Sequence, residues 1–155
     1  MLTVGSRAPA FQLPAKPGEM VDVGGLIGRE KIVLLFIPLA FSSVCTAEMC
    51  HFRDSWSQWE SVGAKVFAIS VDSPFVVAKF REAERIPFPV LSDFNKAVAP
   101  QYDALHAELM GLKGVTKRAA FVIGRDGVIA YAWVSENPGV QVDFDAIRAA
   151  VAKAP

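Results

Sequence analysis

With 155 residues, 52% of them hydrophobic and 21% charged, the chain has the size and composition of one domain, 1–155, that buries a single core without external staples. Sixteen Lys plus Arg balance sixteen Asp plus Glu with no run of like charge, which argues against a nucleic acid or an anionic membrane surface as partner. The most apolar run, Ile32 to Phe41, is ten residues long and contains a proline, short of the roughly 20 that span a bilayer; the opening MLTVGSRAPAF lacks the pattern of a secretory signal, so a cytoplasmic location is expected.

The N-terminal segment, rich in Pro and Gly, predicts irregular structure. KIVLLFIP, Lys31 to Pro38, is a near-continuous apolar run of strand length, the pattern of a strand buried on both faces. From Ser43 to Val62 the chain has few breakers and places Phe52, Trp56 and Trp59 at helical spacing. AKVFAISV, Ala64 to Val71, reads as a second buried strand. The next helix opens at Pro74, with Ser73 as N-cap and proline in the first helical position.

A third strand precedes a weaker helical stretch, Asn95 to Tyr102, which Pro100 must bend or end. Leu105 to Arg118 shows no clear element, and its length suggests a binding role. AAFVI (119–123) and VIAYAWV (128–134) flank Gly-Arg-Asp-Gly and predict an antiparallel hairpin. Asp143 to Lys153 closes the chain as a helix with Phe144, Ile147 and Val151 on one face. Alternating strands and helices followed by a hairpin predict an α/β fold, a mixed sheet with helices on both faces.

The chain has two cysteines, Cys45 and Cys50, both in FIPLAFSSVCTAEMCHF. Cys45 follows the first buried strand, at the carboxyl end of the sheet where ligands bind in open α/β folds. In the first turn of a helix its sulfur meets unpaired N–H groups and the positive end of the dipole. Bringing a thiol from pKa ~8.5 to ~6 takes ~3.4 kcal/mol, whereas a helix terminus supplies ~0.3–1 and at most ~2 kcal/mol. A cation or directed hydrogen bonds are therefore required. Arg118, one residue before AAFVI, enters beside the first strand and is the best-placed cation. Glu48, one helical turn beyond Cys45, is placed to hold it by a bidentate pair.

Each of these residues also has an ordinary structural reading. Cysteines in apolar α/β proteins are more often packing than nucleophiles, and Ser42 and Ser43 fit as helix caps. Cys45, Cys50 and His51 are close in sequence, but the only other histidine is His106 and the spacing does not suit a closed zinc site. No metal or cofactor is expected. The chain has no Gly-rich phosphate loop after its first strand and no GxSxG.

Taken together, PLAFSSVCTAE, Pro38 to Glu48, closely resembles the peroxiredoxin signature: proline, three residues, Thr or Ser, two residues, then the peroxidatic cysteine. The resemblance spans nearly the whole chain, from VGSRAPAFQLP through VFAISVDSP and FPVLSD to KRAAFVIGRDG. PLAF and the chain length resemble the alkyl hydroperoxide reductase E branch; the Cys-x4-Cys spacing resembles the bacterioferritin comigratory, or Q-type, branch. The resemblance implies a thioredoxin-like fold and reduction of hydrogen peroxide and organic hydroperoxides by Cys45, which becomes a sulfenic acid. It further implies that Arg118 and the Ser42 hydroxyl stabilise the thiolate and polarise the O–O bond, that Pro38 shields the pocket, and that Glu48 orients Arg118.

Cys50 has two readings, a resolving cysteine or a buried bystander in a one-cysteine enzyme. In an intact helix, residues five apart lie about 7.5 Å along the axis and roughly 140° apart around it, too far to bridge without backbone movement. Resolution by Cys50 therefore requires the helix to unwind. An external thiol, from thioredoxin, a glutaredoxin-like protein or a small thiol, is the implied reductant. A homodimer is implied too, with Phe41, Trp56 and Trp59 as possible interface aromatics. Two other functions compete: a thiol:disulfide oxidoreductase, for which the chain lacks Cys-x-x-Cys, and a redox sensor built on the two thiols.

Overall fold

The structure is a computed structural model and describes residues 2–155. Its centre is a mixed five-stranded sheet built from β3 (Lys31–Phe36), β4 (Ala64–Ser70), β5 (Val90–Ser92), β8 (Arg118–Ile123) and β9 (Ile129–Ser135), in the order β5-β4-β3-β8-β9. Every residue of β3 is buried: Ile32–Phe36 as their apolar run requires, and Lys31 with its Nζ donating to the Val151 carbonyl at 2.8 Å. β3 runs parallel to β4 and antiparallel to β8. Because side chains alternate along a strand, Val33 and Leu35 enter one core cluster while Ile32, Leu34 and Phe36 enter the other.

Four α-helices bury their apolar stripes in the first cluster: α1 (Ser43–Asp54), α2 (Trp56–Ser61), α3 (Pro74–Glu84) and α4 (Phe144–Lys153). The second face carries the one-turn 3-10 helix Ala99–Tyr102 together with N-terminal residues such as Phe11 and Leu13. Helices thus flank both faces, unequally. Ser73 caps α3 by accepting from the Val76 N–H, as the sequence predicts, and Asp143, expected as the first residue of the last helix, instead caps α4 by accepting from the Ala146 N–H.

Four segments depart from the sequence expectations. The stretch Asn95–Tyr102 is helical only as the 3-10 turn Ala99–Tyr102, with Pro100 near its start, where it neither bends nor ends the helix. The Ser43–Val62 stretch is two helices, because the Ser55 hydroxyl donates to the His51 carbonyl at 2.7 Å and Ser55 leaves helical geometry (φ −112°, ψ 21°); a serine side chain competing for a helix carbonyl favours such a break. The N-terminal segment contains a hairpin, β1 (Gln12–Lys16) with β2 (Glu19–Asp22). Leu105 to Thr116 forms another, β6 (Leu105–Leu109) with β7 (Leu112–Thr116). Its tip, Met110-Gly111, has φ of 52° and 80°, the two positive values of a type I′ turn. Methionine disguises that signal, since Asn or Gly is the usual first residue.

Trp59 is 2% exposed and packs on Phe52, with ring centroids 4.5 Å apart. It belongs to the core and is not available to a dimer interface, unlike Phe41, which is half exposed. Among the described residues no helix is long and apolar enough to cross a membrane.

Candidate active site

The register of β3 with β8 pairs Phe36 with Ala119, which sets Arg118, the first residue of β8, beside the end of β3 where the chain leaves the sheet. Beyond β3 the chain turns through Pro38–Phe41 into α1. This turn is fixed by its backbone: the Ala40 N–H donates to Asp72 Oδ2 at 2.7 Å, and Asp72 also accepts from the Ser70 hydroxyl at 2.8 Å. Phe41 is left-handed (φ 67°), a conformation that costs a non-glycine residue about 1–3 kcal/mol. Its ring lies edge-on to Phe80, centroids 5.0 Å apart, which helps hold it there. The buried Thr116 hydroxyl donates to the Ile37 carbonyl, tying β7 to the same turn.

Ser42 takes the N-cap position in extended geometry (φ −72°, ψ 153°), but its hydroxyl makes no cap bond; it donates instead to the Leu39 carbonyl at 2.7 Å. The first helical bond runs from the Thr46 N–H to the Ser42 carbonyl, 2.8 Å. Cys45 is therefore in the first turn of α1, fully buried, as the position of its motif requires.

Arg118 is 1% exposed and its guanidinium is held on three sides. Nη2 donates to Cys45 Sγ at 3.3 Å and to the Pro138 carbonyl at 3.0 Å; Nε donates to the same carbonyl at 3.3 Å. Nη1 donates to Glu48 Oε1 at 2.6 Å, a single contact in place of the bidentate pair expected from the sequence. Burial works against the charged guanidinium, but Glu48 and then Cys45 outweigh it and raise its pKa. Glu48 is fully buried, and burial pushes its carboxyl up to about 7 against the opposing pull of Arg118. Its second oxygen has no hydrogen-bond partner among the described residues.

Arg118 lines a pocket of about 200 Å3 together with Pro38, Leu39, Ser42, Val44, Leu109, Met110 and Pro138. Cys45 does not line this pocket; Arg118, whose Nη2 contacts its sulfur, does. A larger cleft, about 430 Å3, lies near Lys65 and Phe88. It is at the amino end of β4, away from the carboxyl ends where α/β sheets build their sites, and has no thiol on its wall.

Cys50 makes different contacts. Half-buried, its thiol donates to Glu84 Oε2 on α3 at 3.7 Å. Burial raises its pKa; Glu84 and Asp54 add to the rise and Arg53 opposes it. Both cysteines are free thiols.

The structure thus brings Cys45, Glu48 and Arg118 into direct contact, puts Pro38 and Ser42 on the pocket wall, and keeps Cys50 apart from them on another face of α1. Sequence reasoning misses the Pro138 carbonyl, which steadies two guanidinium nitrogens, because any residue supplies a carbonyl; the only signal is the Asn-Pro-Gly turn after β9. It also misses Gln141, whose Nε2 donates to the Val44 carbonyl at 3.4 Å, and Asp72. Chemically, a sulfur at a helix N-terminus with a fixed cation donating to it is arranged for nucleophilic attack by thiolate. The same guanidinium faces a small pocket with room for the group attacked.

Comparison with known proteins agrees with this arrangement. The AhpC/TSA family model matches residues 4–132. A chain of Coxiella burnetii provisionally named peroxiredoxin bcp is 38% identical over 145 residues, covering 92% of each chain. Alkyl hydroperoxide reductase E of Mycobacterium tuberculosis is 33% identical over 90% of this chain and 89% of its own. The crystal structure of peroxidoxin BcpB from Mycobacterium tuberculosis superposes with a TM-score of 0.85 at 32% identity over 97% of both chains. With the family match covering most of the chain, and a buried cysteine, arginine and glutamate assembled behind the PLAFSSVC turn, the chain belongs to the AhpC/TSA family and is a peroxiredoxin, a thiol-dependent peroxidase with a thioredoxin-like fold.

Proposed function

We propose that Cys45 is the peroxidatic nucleophile, reducing hydrogen peroxide and organic hydroperoxides. The Cys45 thiolate attacks the terminal peroxide oxygen, the O–O bond breaks, and the departing alkoxide or hydroxide takes up a proton and leaves as alcohol or water. Cys45 is left as a sulfenic acid. The observation that carries this reading is the 3.3 Å contact from Arg118 Nη2 to Cys45 Sγ, from a guanidinium that also faces the pocket. Arg118 then stabilises negative charge on sulfur before attack and on the peroxide oxygens during it. Glu48 orients Arg118, Pro38 shields the pocket, and the Ser42 hydroxyl turns from Leu39 to the peroxide when substrate enters. The apolar wall of Leu39, Val44 and Met110 suits the tail of an organic hydroperoxide.

Cys50 resolves the sulfenic acid as an intramolecular disulfide after the start of α1 unwinds. An external thiol, of thioredoxin, a glutaredoxin-like protein or a small thiol, then reduces the disulfide, and no cofactor is needed. The protein works in the cytoplasm as a homodimer, which sedimentation at micromolar concentration tests: a mass of one chain refutes it. One observation favours a second reading, a one-cysteine enzyme: in the folded helix Cys50 is engaged with Glu84 and not with Cys45. Intact mass after one equivalent of hydrogen peroxide separates the two. Loss of two hydrogens within one chain supports resolution by Cys50; a stable sulfenic acid with Cys50 still open to alkylation supports the second reading.

A further inference from the structure

Cys50, Arg53 and Glu84 form a cluster that the attack on peroxide does not use. Cys50 and Arg53 lie three residues apart on α1, so they share a face, and both reach Glu84, the last residue of α3. Arg53 Nη1 donates to the Glu84 carbonyl at 2.7 Å, one of the carbonyls that a helix end leaves without an internal partner. It also lies 4.0 Å from Glu84 Oε2, with both side chains 28% exposed. That same oxygen accepts from the Cys50 thiol at 3.7 Å. Two residues of the redox helix are thus fastened to one residue of its neighbour.

The fastening depends on the state of the sulfur. A carboxylate accepts from S–H but has no proton to give to a thiolate, which it repels. Contact with Glu84 therefore lasts only while Cys50 is a docked thiol, whereas attack on a sulfenic acid needs Cys50 free and deprotonated. The charged groups facing Cys50 are Glu84 from α3, and Arg53 and Asp54 from α1. Asp54 is itself bound to Arg53 Nε at 3.0 Å, so Glu84 is the one that touches sulfur.

We propose that Glu84 is a positioning residue that latches Cys50 to α3 as a thiol, delaying disulfide formation and prolonging the Cys45 sulfenic acid. The proposal rests on the reading of Cys50 as the resolving cysteine. When the latch opens, Cys50 leaves Glu84 and gives its S–H proton to water. Its thiolate then forms the S–S bond to Cys45 as the S–OH bond breaks, and the departing hydroxide takes up a proton to become water. The Cys50 sulfur is oxidised as the Cys45 sulfur is reduced, with no outside oxidant. A longer-lived sulfenic acid is also exposed longer to a second peroxide, which carries it to sulfinic acid.

The test uses the full chain with Glu84→Gln and, separately, Glu84→Ala. Each protein receives one equivalent of hydrogen peroxide, is quenched by alkylation at set times, and is followed by intact mass. The pH profile of Cys50 alkylation is measured beside it in a Cys45→Ser background. Glu84→Gln is expected to form the disulfide roughly threefold faster near neutral pH, the scale of a half-exposed charge interaction, to move the alkylation profile to lower pH, and to yield less sulfinic acid under excess peroxide. Disulfide formation at or below the unsubstituted rate in both variants, or an alkylation profile that does not move, overturns the latch. If the unsubstituted chain forms no disulfide at all, the resolving role of Cys50 falls and the latch with it. Intact mass distinguishes that result from an unchanged rate in a chain that does form one.

Discussion

Arg118 is an unusual arginine: nearly all of its side chain is out of water, where an unpaired charge is not tolerated. Its partners are a carboxylate, a sulfur and a carbonyl, and only the sulfur belongs to a nucleophile. Arg118→Ala should lower the second-order rate with peroxide by roughly 100- to 1,000-fold, the usual cost of a donor aimed at developing charge. Arg118→Lys should recover only part of it, since one ammonium cannot reproduce the guanidinium fork. Stopped-flow traces of the first oxidation step measure both. Glu48 makes a separate prediction. Its carboxyl is raised by burial from 4.5 to about 7, so between those values the folded state binds more protons than the unfolded one. The contribution of Glu48 to stability is therefore present below about 4.5 and is lost as pH rises toward 7. Urea unfolding of the reduced protein at pH 5 and 7.5 should show that slope, and Glu48→Gln should flatten it.

The element that matters most is α1, which carries a reactive start and an anchored end. Toward its end, Phe52 is fully buried and meets Trp59, Phe88 and Phe144 at centroid distances of 4.5, 6.0 and 5.4 Å. His51 stacks on Phe144 at 3.6 Å. Phe52→Ala should cost about 3–5 kcal/mol in urea unfolding, because it removes the ring at the centre of that cluster. The start has no comparable apolar anchor beyond Cys45 and Met49 and relies on the Arg118–Glu48 pair. If the disulfide forms by local unwinding, amide exchange in the oxidised protein should lose protection from Thr46 to Cys50 while α4 keeps its own. Unchanged protection in α1 of a disulfide-bonded protein would contradict unwinding.

For the molecule as a whole, legibility followed from how much of each element was written in side chains. β3, β4 and the β8–β9 hairpin were readable because continuous apolar runs of strand length have few other uses, α3 because Ser73 and Pro74 mark its start, and α4 because Phe144, Ile147 and Val151 are spaced to bury one face. The β1–β2 hairpin was hidden by Pro14, Pro17 and Gly18, and the β6–β7 hairpin by the methionine in its turn; the latter supplies Leu109 and Met110 to the pocket. At the site, the meeting of Arg118 with Cys45 and Glu48 was legible from strand order and charge requirement. The Pro138 carbonyl, the turn of the Ser42 hydroxyl toward Leu39 and the engagement of Cys50 with Glu84 depend on tertiary placement, and no local pattern encodes them.

The claim on which the rest depends is that Cys45, activated by Arg118, reacts with peroxide. Single-turnover peroxide consumption in the reduced chain and in Cys45→Ser tests it most directly. Rapid, stoichiometric consumption is expected from the unsubstituted protein, and none above buffer from Cys45→Ser. Stoichiometric consumption by Cys45→Ser at the unsubstituted rate would contradict it.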